Sequence, residues 1–166
     1  SIDINGDGTA DLVSAGWEDA YIAKFNRDGA LVWAQSIGES YWNRGNGIAV
    51  DDAGNVYATG GFSGSIDING DGTADLVSAG RTDAYIAKFN RDGTLVWAQS
   101  IGESYGNPGH GIAVDDAGNI YATGGFSSRI DINGDGTADL VSTGSVGTYI
   151  IKFETAAPDS VVPIRG

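Results

Sequence analysis

The stretch IDINGDGTADL, residues 2–12, sets side-chain oxygens at alternate positions: Asp3, Asn5, Asp7 and Asp11, with Thr9 able to add its main-chain carbonyl. Calcium takes six to eight hard oxygen ligands, and alternate residues of a tightly curled loop can turn their oxygens to one centre. Gly6 and Gly8 would let the backbone wrap, because glycine enters positive φ without a Cβ penalty. The string returns twice, supplying Asp67, Asn69, Asp71, Thr73 and Asp75, then Asp131, Asn133, Asp135, Thr137 and Asp139. A plain Asn-Gly-Asp-Gly turn would explain the glycines and one Asp. It would not explain three carboxylates within nine residues, which repel one another unless a cation sits between them. The expected cofactor is Ca²⁺, one ion per loop. Mg²⁺ fits less well, because it rarely uses all-protein cages. A loop so polar is not expected to fold by burial; metal binding would rigidify it instead.

The loop is similar to the first five ligand positions of an EF-hand. An EF-hand then needs an acidic residue at its twelfth position, and Ser14 stands there. A closer resemblance is to the D-x-[DN]-x-D-G-x-x-D loops of FG-GAP and integrin-type propellers, which implies that the ligands end at Asp11, Asp75 and Asp139.

The charge distribution agrees with metal loops. Of 22 acidic residues only four are Glu, and nine of the Asp lie in the three loops. Three divalent cations, +6 together, would bring the formal charge from −13 to −7. So acidic a chain is a poor partner for nucleic acid, whose phosphates call for Lys and Arg. No apolar run approaches the ~18 residues of a membrane helix, and the start of the chain does not read as a signal peptide. With no Cys, disulfides, zinc thiolates and thiol catalysis are excluded.

These loops need a scaffold that repeats with them. Residues 1–64 align without gaps on 65–128 and differ at eight positions: 17/81, 18/82, 30/94, 42/106, 44/108, 46/110, 56/120 and 64/128. A third, partial copy runs over 129–153; residues 154–166 match nothing earlier and read as a terminal strand or linker. Within one period, GIAVDD, NVYATGGF, DAYIAKFN and LVWAQSI alternate as strands a to d, and DAGN and NRDG carry turn chemistry. In DAYIAKFN, Tyr85, Ala87 and Phe89 share one face, and Ile86 and Lys88 share the other. The fold class is all-β. Four antiparallel strands per repeat suggest a β-propeller blade, with the acidic loop inserted between strands b and c.

The pattern GIAVDDAGNVYATGGF, then SAGWEDAYIAKFNRDGALVWAQSIG, closely resembles the SBBP β-propeller repeat of bacterial surface and secreted proteins. The resemblance covers residues 1–153. It implies a multi-bladed propeller, an extracellular or cell-surface location and no common enzymatic activity.

Counted in order, the strands make c, d, then a, b, c, d, then a, b, c and a poor d: about two and a half blades. Such a segment would leave an open strand edge, so further blades of a longer protein, or other copies of the chain, are the expected partners. Connections b–c and d–a emerge on one face, and most of the differing positions lie there. Trp17, Trp42, Arg44, Arg81 and His110 are therefore candidate ligand-binding residues for a glycan or a surface protein, on a face expected to be shared with the acidic loops. Trp33 and Trp97 read as inter-blade packing. Catalysis has little support, because His110 is the lone histidine and no nucleophile or phosphate motif is present. The leading expectation is a calcium-stabilised structural or adhesive propeller segment; the alternative is a lectin-like carbohydrate- or protein-binding propeller, and behind both stands an extracellular enzyme with its catalytic residues in further blades.

Overall fold

The computed structural model describes residues 1–39, 41–103 and 105–154. Apart from Glu154, the expected terminal strand or linker lies outside the described residues. No helix occurs among them.

Strands β1 (Ala20–Phe25) and β2 (Leu31–Ile37) pair antiparallel and form the c and d strands of a first blade. β3 (Asn43–Val50) and β4 (Val56–Phe62) open the second blade as strands a and b. The two-residue strands β5 (Ser65–Ile66) and β6 (Leu76–Val77) pinch the acidic loop shut at its base. β7 (Asp83–Phe89) and β8 (Leu95–Ile101) then complete a four-stranded sheet in the order β3-β4-β7-β8. The third blade holds β9 (Gly109–Val114), β10 (Ile120–Phe126) and β13 (Gly147–Phe153), with β11 (Arg129–Ile130) and β12 (Leu140–Val141) closing its loop. This is the expected series c, d; a, b, c, d; a, b, c, the poor final d falling outside the described residues, and all the sheets are antiparallel.

Local chemistry fixes the turns. Asn90 Oδ1 accepts the N–H groups of Asp92 and Thr94, each at 2.9 Å, and Gly93 takes φ 88° beyond them. The register shifts at Lys88/Phe89, as a bulged hairpin requires. The Asp51 carboxylate accepts Asn55 N–H at 2.8 Å, Asn55 Nδ2 at 2.7 Å and the Tyr57 hydroxyl at 3.0 Å. Asp115 repeats the arrangement with Asn119 and Tyr121. Both Asp residues therefore cap turns.

One boundary differs from expectation. Strand a begins at Asn43, four residues before GIAVDD, with a register shift between Gly45 and Gly47. NRGNG reads as a loop because it is polar and glycine-rich. It pairs instead with the equally glycine-rich end of β4, where a Cβ on Gly60 would collide with the Arg44 carbonyl. The matching strand β9 starts only at Gly109, because Pro108 has no N–H to give to a ladder.

The core lies between blades. Tyr85, Ala87 and Phe89 turn from β7 toward the first blade and join Ile22, Ile37, Val56 and Phe62. Ala84 and Ile86 turn the other way and join Ile120, Ala122, Tyr149 and Ile151 of the third. The Trp33 indole donates to the Arg91 carbonyl at 3.2 Å, across to the next blade's c–d turn, which is the expected inter-blade role. The outer faces show what is uncovered. Tyr85, Phe89 and Ile86 are each 0% exposed, whereas their equivalents Tyr21, Phe25 and Ile150 are 54%, 48% and 80% exposed. Burying such a side chain contributes about 1.5–3 kcal/mol, so both end faces present the surface that in the middle blade packs on a neighbour.

The acidic loops correct a second expectation. The second and third are anchored by burial: Ile66 and Ile68 are 0% exposed in one inter-blade core, and Ile130 and Ile132 lie in the other, whereas Ile2 of the first loop is 38% exposed. Alternation explains it. In IDIN the Ile side chains point into the core while Asp67 and Asn69 turn toward the loop.

Candidate functional site

Each acidic loop folds by the same hydrogen bonds. The first Asp accepts two glycine N–H groups: Asp67 Oδ1 from Gly70 at 2.6 Å and Oδ2 from Gly72 at 2.8 Å. Asp3 does the same with Gly6 and Gly8, and Asp131 with Gly134 and Gly136. All six glycines have φ between 74° and 88°, where a Cβ is strained. Asn69 Oδ1 accepts Asp71 N–H at 2.8 Å, and Asp71 Oδ1 accepts the Thr73 N–H at 2.8 Å and the Thr73 hydroxyl. The last Asp reaches back: Asp75 Oδ2 accepts Ile68 N–H at 2.7 Å, as Asp11 does from Ile4 and Asp139 from Ile132. The Thr73 hydroxyl and N–H hold the Asp71 carboxyl below the usual carboxylate range. The N–H groups of Thr9 and Thr137, with their hydroxyls, do the same for Asp7 and Asp135.

The donor set suits a hard cation in kind: three carboxylates, an amide oxygen and a peptide carbonyl. Asp67 and Asp131 are buried, at 6% and 8% exposure. Among the described residues no three acidic or imidazole side chains converge closely enough to form a metal centre. In the second loop the amide nitrogen of Asn69 occupies the anionic focus, 3.1 Å from Asp71 Oδ2 and 3.4 Å from Asp75 Oδ1. To ligate a cation, Asn69 would have to turn its oxygen inward where the N–H₂ now sits. The loops thus bring every expected residue into one hydrogen-bonded turn, with the amide standing at the position of positive charge.

The shared-face expectation is corrected. Asn69, Asp71 and Asp75 line a hollow of about 500 Å³ whose other wall is residues 94–98, the first half of the edge strand β8 and the turn before it. The loop tip has folded along the outer strand, away from the d–a connections.

Those connections form a separate open groove of about 880 Å³ between the second and third blades. Four of the five candidate ligand-binding residues line it: Trp42, Arg44, Arg81 and His110. Trp17, at the place equivalent to Arg81 one blade earlier, lies outside it and is 85% exposed. The groove also holds Asn46, Gly61, Ser63, Thr82, Tyr105, Gly106, Pro108 and Ser127. Eight of these twelve lining residues, at 42, 44, 46, 81, 82, 106, 108 and 110, belong to positions at which the copies differ. Arg44 lies over the Trp42 ring at 5.2 Å and pairs with Glu18 at 3.4 Å. Asn46 Nδ2 bridges the blades to the Gly109 carbonyl at 2.7 Å.

Asp83 was not among the expected site residues. It opens β7 at 1% exposure, accepts Ala79 N–H at 2.7 Å through Oδ2, and has no partner for Oδ1. Burial pushes its carboxyl up to about 6. The third copy has Gly147 here, with the Phe126 ring against it. A signal existed in the sequence: Asp83 falls on the strand face that Tyr85, Ala87 and Phe89 make apolar.

No family model matches the chain. An uncharacterized WD repeat-containing protein of Acanthamoeba polyphaga mimivirus is 25% identical over 153 residues, a match that takes in 87% of this chain. The chain spans only 11% of that relative's length. The likeness agrees with the repeated antiparallel sheets: this is a β-propeller-like repeat fold.

Proposed function

We propose that this chain is a calcium-braced segment of a β-propeller, serving as a structural or adhesive scaffold in a cell-surface or secreted bacterial protein and completed by further blades or by other copies. The observation that carries the reading is the thrice-repeated loop. Three Asp and an Asn share one hydrogen-bonded turn about two positive-φ glycines, and in the second and third loops the Ile pair beside them is sunk in an inter-blade core. Asp67, Asn69, Asp71, Thr73 and Asp75 would hold the ion in the middle loop, with the matching residues in the others. A bound divalent ion would draw the three carboxylates together, neutralise them and rigidify the loop. The SBBP resemblance and the exposed apolar end faces support completion by neighbours. The WD repeat-containing relative supports the coarser statement, a propeller that scaffolds interactions. Calorimetric titration of metal-stripped chain with Ca²⁺ tests it: about three sites are expected by the loop count, and absence of binding removes calcium from the account.

A second reading, a lectin-like or protein-binding propeller, is favoured by the convergence of Trp42, Arg44, Arg81 and His110 in one groove.

A further inference from the structure

The inter-blade groove is electrostatically unlike the rest of the molecule. The chain carries 22 acidic residues against nine Lys and Arg, yet the groove lining holds two Arg and the lone His and no Asp or Glu. Arg44 is partly occupied by Trp42 and Glu18. Arg81 is exposed and makes no ion pair among the described residues. A guanidinium left open in so acidic a protein is a directed, fork-shaped anion receptor, matched best by a carboxylate or phosphate.

The remaining lining narrows the ligand. Ser63 and Thr82 present hydroxyls to the groove, 3.2 Å from each other, each able to donate and to accept. Trp42 is 50% exposed and lines the same groove, with Arg44 over one face of its ring and the other face free to stack. Adjacent carboxylate-binding, hydroxyl-binding and ring-stacking groups match a polyhydroxylated ring that bears a carboxylate. An extended acidic peptide would use the cations and could bond the hydroxyls through its main chain, but its carboxylate side chains offer the Trp42 ring no flat apolar face to stack on. We propose that the groove binds an acidic saccharide of the uronate type, with Arg81 meeting the carboxylate, Ser63 and Thr82 meeting ring hydroxyls, and Trp42 stacking on the sugar face. The proposal rests on the groove-binding reading above and specifies its ligand.

Calorimetry at constant Ca²⁺ tests it with three probes: a glucuronate trisaccharide, a neutral glucose trisaccharide and an acetylated tri-glutamate peptide. The uronate is expected to bind, to weaken as salt is raised, and to lose about tenfold or more in affinity in Arg81→Ala, an exposed substitution whose melting temperature should stay unchanged. Arg81→Lys should recover part of that loss. Equal binding of the neutral sugar overturns the acidic-ligand assignment and leaves groove binding standing. Binding of the peptide but not the uronate overturns the saccharide assignment. Uronate affinity indifferent to Arg81→Ala overturns the placement, and no binding by any probe overturns the inference while leaving a protein partner for the groove.

Discussion

Asp83→Asn probes the inter-blade core through a single proton. Asp83 is 1% exposed, its Oδ1 has no partner, and burial raises its carboxyl from 3.8 to about 6. The folded state therefore binds the proton more tightly than the unfolded chain. The stability linked to this group is fully present below the unfolded value and is lost as pH rises through about 6. The full loss corresponds to about 3 kcal/mol, and about 1.4 kcal/mol of it falls between about pH 5 and about pH 8. Asn cannot ionise, so its stability relative to the parent should climb by that amount across the interval. In a domain of this size that is a relative gain of about 3–6 °C in melting temperature. Any constant cost of the new amide cancels, because only the change with pH is read. The lowered carboxyls of Asp51, Asp71 and Asp115 have the opposite sign and are common to both proteins. The assay is urea unfolding of both chains at several pH values and constant Ca²⁺. A stability difference that stays flat with pH would refute the reasoning, since it would mean that Asp83 is solvated or paired with a cation.

Two further pairs carry internal controls. Ile66→Ala should cost about 2–5 kcal/mol in chemical unfolding, because Ile66 is 0% exposed; Ile2→Ala at the equivalent site, 38% exposed, should cost clearly less, and equal costs would contradict anchoring by burial. The Tyr85 hydroxyl is buried without a partner, whereas that of Tyr57 donates to Asp51 at 3.0 Å. In thermal melts Tyr85→Phe should therefore be neutral or stabilising by about 1 kcal/mol, and Tyr57→Phe destabilising by about 1 kcal/mol; the reverse order would contradict the hydrogen-bond assignment.

Much of the architecture was legible in the sequence, because alternation and turn chemistry are local. Tyr85, Ala87 and Phe89 against Ile86 announced the two faces of β7, and NRDG and DAGN announced their turns. What escaped was set by partners distant in sequence. NRGNG became strand only because glycine-rich β4 lies beside it. The Ile66–Ile68 anchor was hidden by the polar residues between and after it, although the alternation was there to be read. The groove is a mixed case. Residue types at the varying positions pointed to a ligand surface. Which of them meet depended on the second and third blades packing side by side, which admits Arg81 and His110 and leaves Trp17 out. The path of the acidic loop along β8 could not be read from connectivity alone, since that places the loop's roots but not its tip.

The central claim is that calcium in the loops braces the blades. Its most direct test is the melting temperature of the chain in ~2 mM Ca²⁺ against excess chelator. With a Kd of ~10⁻⁴ M, each occupied loop should add about 2 kcal/mol, roughly 4 °C or more. A Ca²⁺-dependent rise is expected, and it should shrink when Asp71→Ala empties the middle loop. A melting temperature unmoved by chelation would contradict it and leave the three loops as hydrogen-bonded turns.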